Sequence, residues 1–209
     1  MSLPDWLVPL ATAVAEVTAA DLSRHHQPEP GLSVRRSAVL MAFGQTAQGP
    51  GILLIKRAAD LRNHAGQVAF PGGASDPTDL DATATALREA QEEVGLDPSS
   101  VEPLATLPTL FLPPSRFLVS PVLAWWVTPH PVRPVDTGEV ADVAVLPVAE
   151  LADPANRFRV GHPSGYVGPG FETRGWFVWG FTAALVDRLL DLGGWSRPWD
   201  DAKIRPLPS

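Results

Sequence analysis

The chain is 209 residues long, 45% hydrophobic and 19% charged, a composition that suits one domain with an ample core. A formal net charge of −7, with no Lys/Arg-rich block, argues against a nucleic-acid partner. No cysteine is present, which excludes disulfides, thiol chemistry and zinc–thiolate sites. No apolar run approaches the ~20 residues of a membrane helix. The opening MSLPDWLVPL lacks a basic n-region and carries Asp5 early, so a signal peptide is not expected and a cytoplasmic location is.

In chain order, residues 4–24 predict an amphipathic helix or helix pair with Trp6, Leu7, Leu10, Val14, Val17 and Leu22 as the apolar positions. The stretch 24–33 reads as a linker. Ser37–Phe43 and Gly51–Lys56 are apolar and flank a loop at 44–50, which predicts a hairpin. Arg62–Ala69 is a loop or short strand entering a Gly-rich turn, and a helix follows over 82–94, with Asp79 or Asp81 at its start. Strands are expected at 101–110, 117–127 and 140–146, with a Pro-rich connection over 128–138 and a short helix at Pro147–Leu151. Gly161–Gly170 holds four glycines and two prolines and reads as a surface loop. Trp176–Phe181 is strand-like and Thr182–Leu192 is a final helix. Mixed strands with helices on both faces make an α/β sandwich.

The chemistry concentrates in Phe70–Leu96. A Gly-rich turn leads into a helix whose Glu89, Glu92 and Glu93 fall within a ~100° arc at 100° per residue. Ala86, Leu87, Ala90 and Val94 lie on the opposite side, where they meet a core. Acids converging on one face repel one another unless a cation neutralises them, and Mg²⁺ is held by a few carboxylates plus substrate phosphates. The segment therefore points to a metal-dependent site acting on a phosphate compound, and the acidic net charge favours a small phosphate ester over a polymer.

Arg88-Glu89-Ala90-Gln91-Glu92-Glu93-Val94-Gly95-Leu96 resembles the C-terminal half of the Nudix hydrolase signature, G-x5-E-x7-R-E-U-x-E-E-x-G-U with U aliphatic. The N-terminal half departs from it: Gly73 lies one residue too far from Arg88, and Leu80 occupies the place of the first Glu. Either Asp79 or Asp81 substitutes, or the turn is one residue longer. Upstream, Leu53-Leu54-Ile55-Lys56-Arg57-Ala58, Arg62, Gly66 and Phe70-Pro71-Gly72-Gly73 resemble the L-L-T-x-R-[SA]-x3-R-x3-G-x3-F-P-G-G pattern of the coenzyme A diphosphatase branch, with Ile55 in place of Thr.

The resemblance implies a Nudix α/β/α sandwich with a mixed β-sheet over 34–195, preceded by a helical extension and linker (1–33) and followed by a tail (196–209). It implies Mg²⁺- or Mn²⁺-dependent hydrolysis of the diphosphate of coenzyme A or a derivative, giving 3′,5′-ADP and 4′-phosphopantetheine. The alternatives are another nucleoside diphosphate derivative (ADP-ribose, NADH or a dinucleoside polyphosphate) or a catalytically silent ligand-binding module. Glu89, Glu92 and Glu93 are the expected metal ligands, and the resemblance adds the backbone carbonyl of Gly73. Arg88, four residues before Glu92, is expected to orient it. Glu139, just before an apolar strand, is the candidate base; Glu89 is an alternative and Glu172 a weaker one. Arg57, Arg62 and His64 are candidate phosphate contacts. Gln67 and Phe70 shape the turn entry, Asp76, Asp79 and Asp81 are assigned turn and capping roles, and the Trp-rich C-terminus suggests a homodimer.

Overall fold

Strand β1 (Arg35–Thr46) is the spine of the molecule, and its alternating side chains feed two separate cores. Ala38, Leu40 and Ala42 point to one face of the sheet; Met41 and Phe43 point to the other. The computed structural model describes residues 2–22, 28–29, 31–61, 64–113, 115–163 and 165–208. Half of the linker expected at 24–33 lies outside them, as do Arg62 and Asn63.

Strand β2 (Gly49–Arg57) returns antiparallel to β1, with Thr46 opposite Gly49. The turn is thus two residues, Ala47 and Gln48, and not the loop expected over 44–50. The Thr46 hydroxyl donates to the Gly49 carbonyl (2.8 Å) and accepts from Gln48 N (3.1 Å), while Gly49 at φ 99° adopts a conformation that side chains disfavour. These bonds keep the ladder intact through a segment whose composition reads as loop. Leu53 and Ile55 of β2 face the first core, Ile52 and Leu54 the second. Ile55 is fully buried, which accounts for an aliphatic residue where the diphosphatase pattern has Thr.

Strands β3 (Val68–Ala69) and β4 (Gly72–Ala74) follow, then β5 (Val101–Thr106), β6 (Leu110–Leu112), β7 (Phe117–Trp126) and β8 (Val140–Pro147). They form a mixed sheet of order β3-β2-β1-β7-β5, in which β7 runs parallel to β1, β4 pairs with β1, β6 with β7 and β8 with β2. A second sheet, β11-β10-β9-β12, is built from β9 (Arg157–Gly161), β10 (Val167–Thr173), β11 (Trp176–Val178) and β12 (Ile204–Pro206). Half of the loop expected at 161–170 is therefore ladder, Gly161 in β9 and Val167–Gly170 in β10. Gly170 is there because the Phe158 and Val160 side chains occupy the space a Cβ would need.

Two short helices, α1 (Val8–Ala13) and α2 (Ala19–Leu22), open the chain. Helix α3 (Ala82–Val94) covers one face of the sheet; α4 (Val148–Leu151) follows β8; α5 (Gly180–Leu192) covers the other face together with α1 and α2. Helix α5 starts two residues earlier than the sequence suggests, on a Gly180 at φ 65°. Trp195 turns inward against Trp6 and Phe43, with ring centres 6.5 and 5.7 Å away, and Trp199 lies against the Arg157 guanidinium at 4.6 Å. Both tryptophans make contacts within the chain and stay partly exposed. Among the described residues, no helix is long and apolar enough to cross a membrane.

Candidate active site

Helix α3 is positioned by its ends. Asp81 caps it, its carboxylate accepting from Ala84 N at 2.8 Å, and Gly95 closes it in the left-handed region at φ 68°. The residues it buries are small, Thr85, Ala86, Ala90 and Val94, so the helix approaches β1 and β4 closely. That approach delivers its acids to the glycine turn. A Cβ on Gly72 would strike the Ala38 carbonyl and Val39, and a Cβ on Gly73 would fall on the Glu89 carboxylate. Glycine is required at both positions by contact, and at Gly72 also by its φ of 154°.

The three acids predicted to share a face have three environments. Glu93 is 3% exposed; one carboxylate oxygen accepts from Gly72 N at 2.9 Å, while Oε1 is buried with no hydrogen-bond partner. Burial lifts this carboxyl to about 8, against the opposing pull of the Gly72 N–H and the Arg57 guanidinium. Glu89 is half-buried and raised by burial too, with Arg88 opposing. Glu92 is largely exposed, 59% for its side chain, and reaches Arg88 Nη1 at 3.0 Å. Among the described residues no three acids or histidines sit close enough to form a ready metal cage. Glu93 takes the Gly72 N–H while Glu89 and Glu92 share Arg88 Nη1, and like charges held close in a partly buried setting would otherwise be costly. The donor set nonetheless fits a hard divalent cation: every candidate is an oxygen, one buried carboxylate oxygen lacks a partner, and the Glu89 carboxylate lies against the Gly73 backbone.

Arg88 is held from the turn side. Its Nε meets Asp79 Oδ1 and its Nη2 meets Asp79 Oδ2, both at 3.0 Å, a bidentate pair. Nη1 bridges Glu89 (2.9 Å) and Glu92 (3.0 Å), and Nη2 also donates to the Ala74 carbonyl at 3.0 Å. The Asp79 carboxylate further accepts from Asp76 N (2.8 Å) and from the buried Thr85 hydroxyl (2.9 Å). Hydrogen bonds from Arg88, first of all, hold the Asp79 carboxyl well below the usual carboxylate range. Asp76, which accepts from Thr78 N, and the cap Asp81 have the turn and capping roles expected of them, and Asp79 combines its turn bond from Asp76 N with the pairing to Arg88. Leu80, at the signature's own Glu position, is 96% exposed. The acid partner of Arg88 has moved back by one residue, the length of the extra turn residue.

Glu139 is brought in by the Pro-rich connection. Arg133 N donates to the Val94 carbonyl (3.2 Å) and Val135 N to the Glu93 carbonyl (2.9 Å), so this segment satisfies the C-terminal end of α3. Four residues on, the Glu139 carbonyl accepts from Ala58 N at 2.8 Å, and its carboxylate adds to the raised carboxyls of both Glu89 and Glu93. Glu172 instead pairs with Arg205 at 2.6 Å in the second sheet and is not among these charges. Arg57 ends β2 on the α3 side and acts on Glu93, with its Nε buried and unpartnered. His64 Nδ1 lies 2.9 Å from Gln67 Oε1 within the turn entry. Arg62 falls outside the described residues. A shallow hollow of ≈ 300 Å³ beside Trp126 and His130 lies at the far end of β1 from this turn and has no part in it.

A mixed sheet between helices, with a glycine turn feeding an acid-rich helix, is the arrangement of a Nudix protein, and the NUDIX domain family matches residues 34–164. The chain belongs to the Nudix family and is a hydrolase acting on phosphorus anhydrides. It is 41% identical over 175 residues to the uncharacterized Nudix hydrolase NudL of Cronobacter sakazakii, covering 80% of this chain and 88% of that protein. The NudL of Escherichia coli (strain K12) is 41% identical over 165 residues, covering 76% and 82%. Among solved structures, the Nudix hydrolase RenU of M. smegmatis shares the fold, with a TM-score of 0.56 at 18% identity over 78% of this chain and 88% of that one. Nudix hydrolases generally use divalent metal ions.

Proposed function

We propose that this protein hydrolyses the diphosphate of coenzyme A or a derivative, with Mg²⁺ or Mn²⁺, giving 3′,5′-ADP and 4′-phosphopantetheine. The observation that carries this reading is that the coenzyme A-type segment and the acid helix meet at one point. Arg57, from the upstream pattern, faces Glu93, and Gly72 of the same pattern donates its N–H to the Glu93 carboxylate.

Glu89, Glu92, Glu93 and the Gly73 carbonyl would hold the cation. When bound, it supplies a lowered pKa for the attacking water and neutralises charge on the phosphoryl oxygens. Glu139 accepts the proton of that water; as the new P–O bond forms, the anhydride P–O bond breaks and the phosphate of the departing half carries the electron pair away. Arg57, whose charge acts on Glu93 beside the turn, is the cation for a diphosphate oxygen. Arg88 keeps Glu89 and Glu92 in place and does not touch substrate, because Asp79, Ala74 and the two glutamates already occupy its donors. A cytoplasmic site of action accords with the cysteine-free sequence.

The test is a panel of coenzyme A, ADP-ribose, NADH and a dinucleoside polyphosphate, each with Mg²⁺ and with Mn²⁺. Coenzyme A should give the highest kcat/KM; turnover no better than that of ADP-ribose sinks the substrate assignment. Glu92→Gln then separates an enzyme, which loses most of its turnover while staying folded, from a silent binding module, whose ligand affinity would be indifferent to it.

A further inference from the structure

Arg35 and Arg36 open β1, Arg116 immediately precedes β7, and all three are exposed. Parallel pairing sets Arg35 beside Phe117 and Arg36 beside Leu118, and Arg35 N donates to the Arg116 carbonyl at 3.1 Å. Arg36, with the parity of Ala38 and Leu40, leaves one face of the sheet, and Arg35, with the parity of Met41 and Phe43, leaves the other. The Arg35 guanidinium lies over the Phe117 ring on that second face, 4.1 Å from its centre. Arg116 is held at φ 56°, a left-handed conformation uncommon for a side-chain-bearing residue.

Among the described residues none of these three arginines has a carboxylate partner, whereas Arg88, Arg157, Arg174, Arg188 and Arg205 each form an ion pair. Arg36 and Arg116, unpaired cations at the adjoining starts of β1 and β7 in a chain of net charge −7, offer a place for an anion. That place adjoins the glycine turn. Ser75 N donates to the Arg36 carbonyl at 3.0 Å, and Ala38, two residues along β1, pairs with Gly73. At ~3.3 Å per residue, Arg36 starts about 7 Å along the strand from the turn that faces Glu89. It shares parity with Ala38 and Leu40, so it emerges on the α3 side of the sheet, where Glu89 and Glu93 lie. Arg88 is saturated and Arg57 faces Glu93, so neither is available for a group beyond the diphosphate.

We propose that Arg36 and Arg116 form a subsite for a terminal phosphate monoester carried on the nucleoside side of the substrate, separate from the diphosphate. The guanidinium fork matches phosphate oxygens in bidentate fashion. The inference rests on the diphosphatase reading above and narrows it: ADP-ribose, NADH and dinucleoside polyphosphates carry no such monoester, while coenzyme A does.

The experiment compares coenzyme A with 3′-dephospho-coenzyme A, two substrates that differ by this one group, for the wild type, Arg36→Ala/Arg116→Ala and Arg36→Lys. The wild type should prefer coenzyme A in kcat/KM by tenfold or more, carried by KM, since a hydrogen-bonded charged contact of about 1.5–3 kcal/mol corresponds to at least that factor. The double variant should bring the ratio close to one, and Arg36→Lys should keep part of it by keeping the charge. A ratio unchanged in the double variant overturns the subsite. If the wild type turns over neither compound, the coenzyme A reading fails by itself, and the subsite is judged on NADPH against NADH in the same variants. There, loss of an NADPH preference supports it, and a wild-type ratio of one overturns it.

Discussion

Helices α3 and α5 are each 13 residues long and lie on opposite faces of the same sheet, yet they are built for different work. Helix α5 buries Ala183, Leu185, Val186, Leu189 and Leu190, large apolar side chains with no polar obligation beyond Thr182. Helix α3 buries Ala86, Ala90 and Val94 together with Thr85 and Glu93, and leaves one Glu93 oxygen without a partner. Small residues bring α3 near the sheet and so put carboxylates against glycines 72 and 73; large ones let α5 remove apolar area from water. One face is given over to apolar burial, and the other keeps an ionisable group under the same sheet.

The sharpest way to break this contrast is Glu93→Gln. It should lower kcat on the preferred diphosphate by about 10³-fold. The same variant, in chelator and at pH 8, should melt above the wild type, because the amide carries no charge to desolvate. Loss of both activity and stability would mean that Glu93 is a structural residue like those of α5. Leu189→Ala on the opposite face should do the reverse. A cost of about 2–5 kcal/mol in denaturant unfolding should leave kcat per folded molecule within about twofold; a large kcat loss would show that the two faces are not separable.

Asp79→Asn removes the carboxylate that orients Arg88, and kcat should fall by about 10–100-fold, as for other groups that position metal ligands. The metal concentration giving half-maximal rate should rise with it. Asp79→Ala/Leu80→Glu restores the signature's nominal acid but places it on a side chain aimed at solvent, so it should not recover activity; recovery would refute the displaced pairing. The smallest expected effect is on stability against pH in metal-free protein. The folded Glu93 keeps its proton up to about 8, while an unfolded Glu releases it near 4.3. Between these values the folded state binds more protons, so stability is fully present below pH ~4 and declines as pH rises toward 8. At about 2–4 °C per kcal/mol for a chain of this size, Tm should drop by several degrees from pH 5 to pH 8.5. Glu93→Gln should flatten that slope.

Much of the α3 face was legible from residue order. The 82–94 helix follows from its apolar spacing, the Asp81 cap and Gly95, all of which act within a turn or two. The same locality explains the errors. The 44–50 and 161–170 segments look like loops by composition, but ladder bonds to a partner strand override composition at β1, β2, β9 and β10. Asp79 was legible as an acid in a turn, but its pairing with Arg88 depends on how a one-residue-longer turn folds back on the helix. Its signal was the exposed-looking Leu80 at the acid position. The neighbouring unpaired arginines at 36 and 116 were not legible as neighbours, since that needs the parallel register of β1 on β7.

By itself the sequence determined the chemistry on offer: carboxylates at 89, 92 and 93 on one helix side, glycines at 72 and 73 before them, and Arg57 upstream. These are matters of residue type and helical or turn geometry, which short-range sterics set. The tertiary structure decided the assignments among them. Burial under the sheet chose Glu93 over Glu92 as the perturbed acid, the turn chose Asp79 as the partner of Arg88, and the docking of residues 133–135 on the end of α3 brought Glu139 to the same charges. Desolvation and Coulomb interaction depend on neighbours supplied from more than 20 residues away at Gly72 and more than 40 at Glu139, and only folding supplies those neighbours.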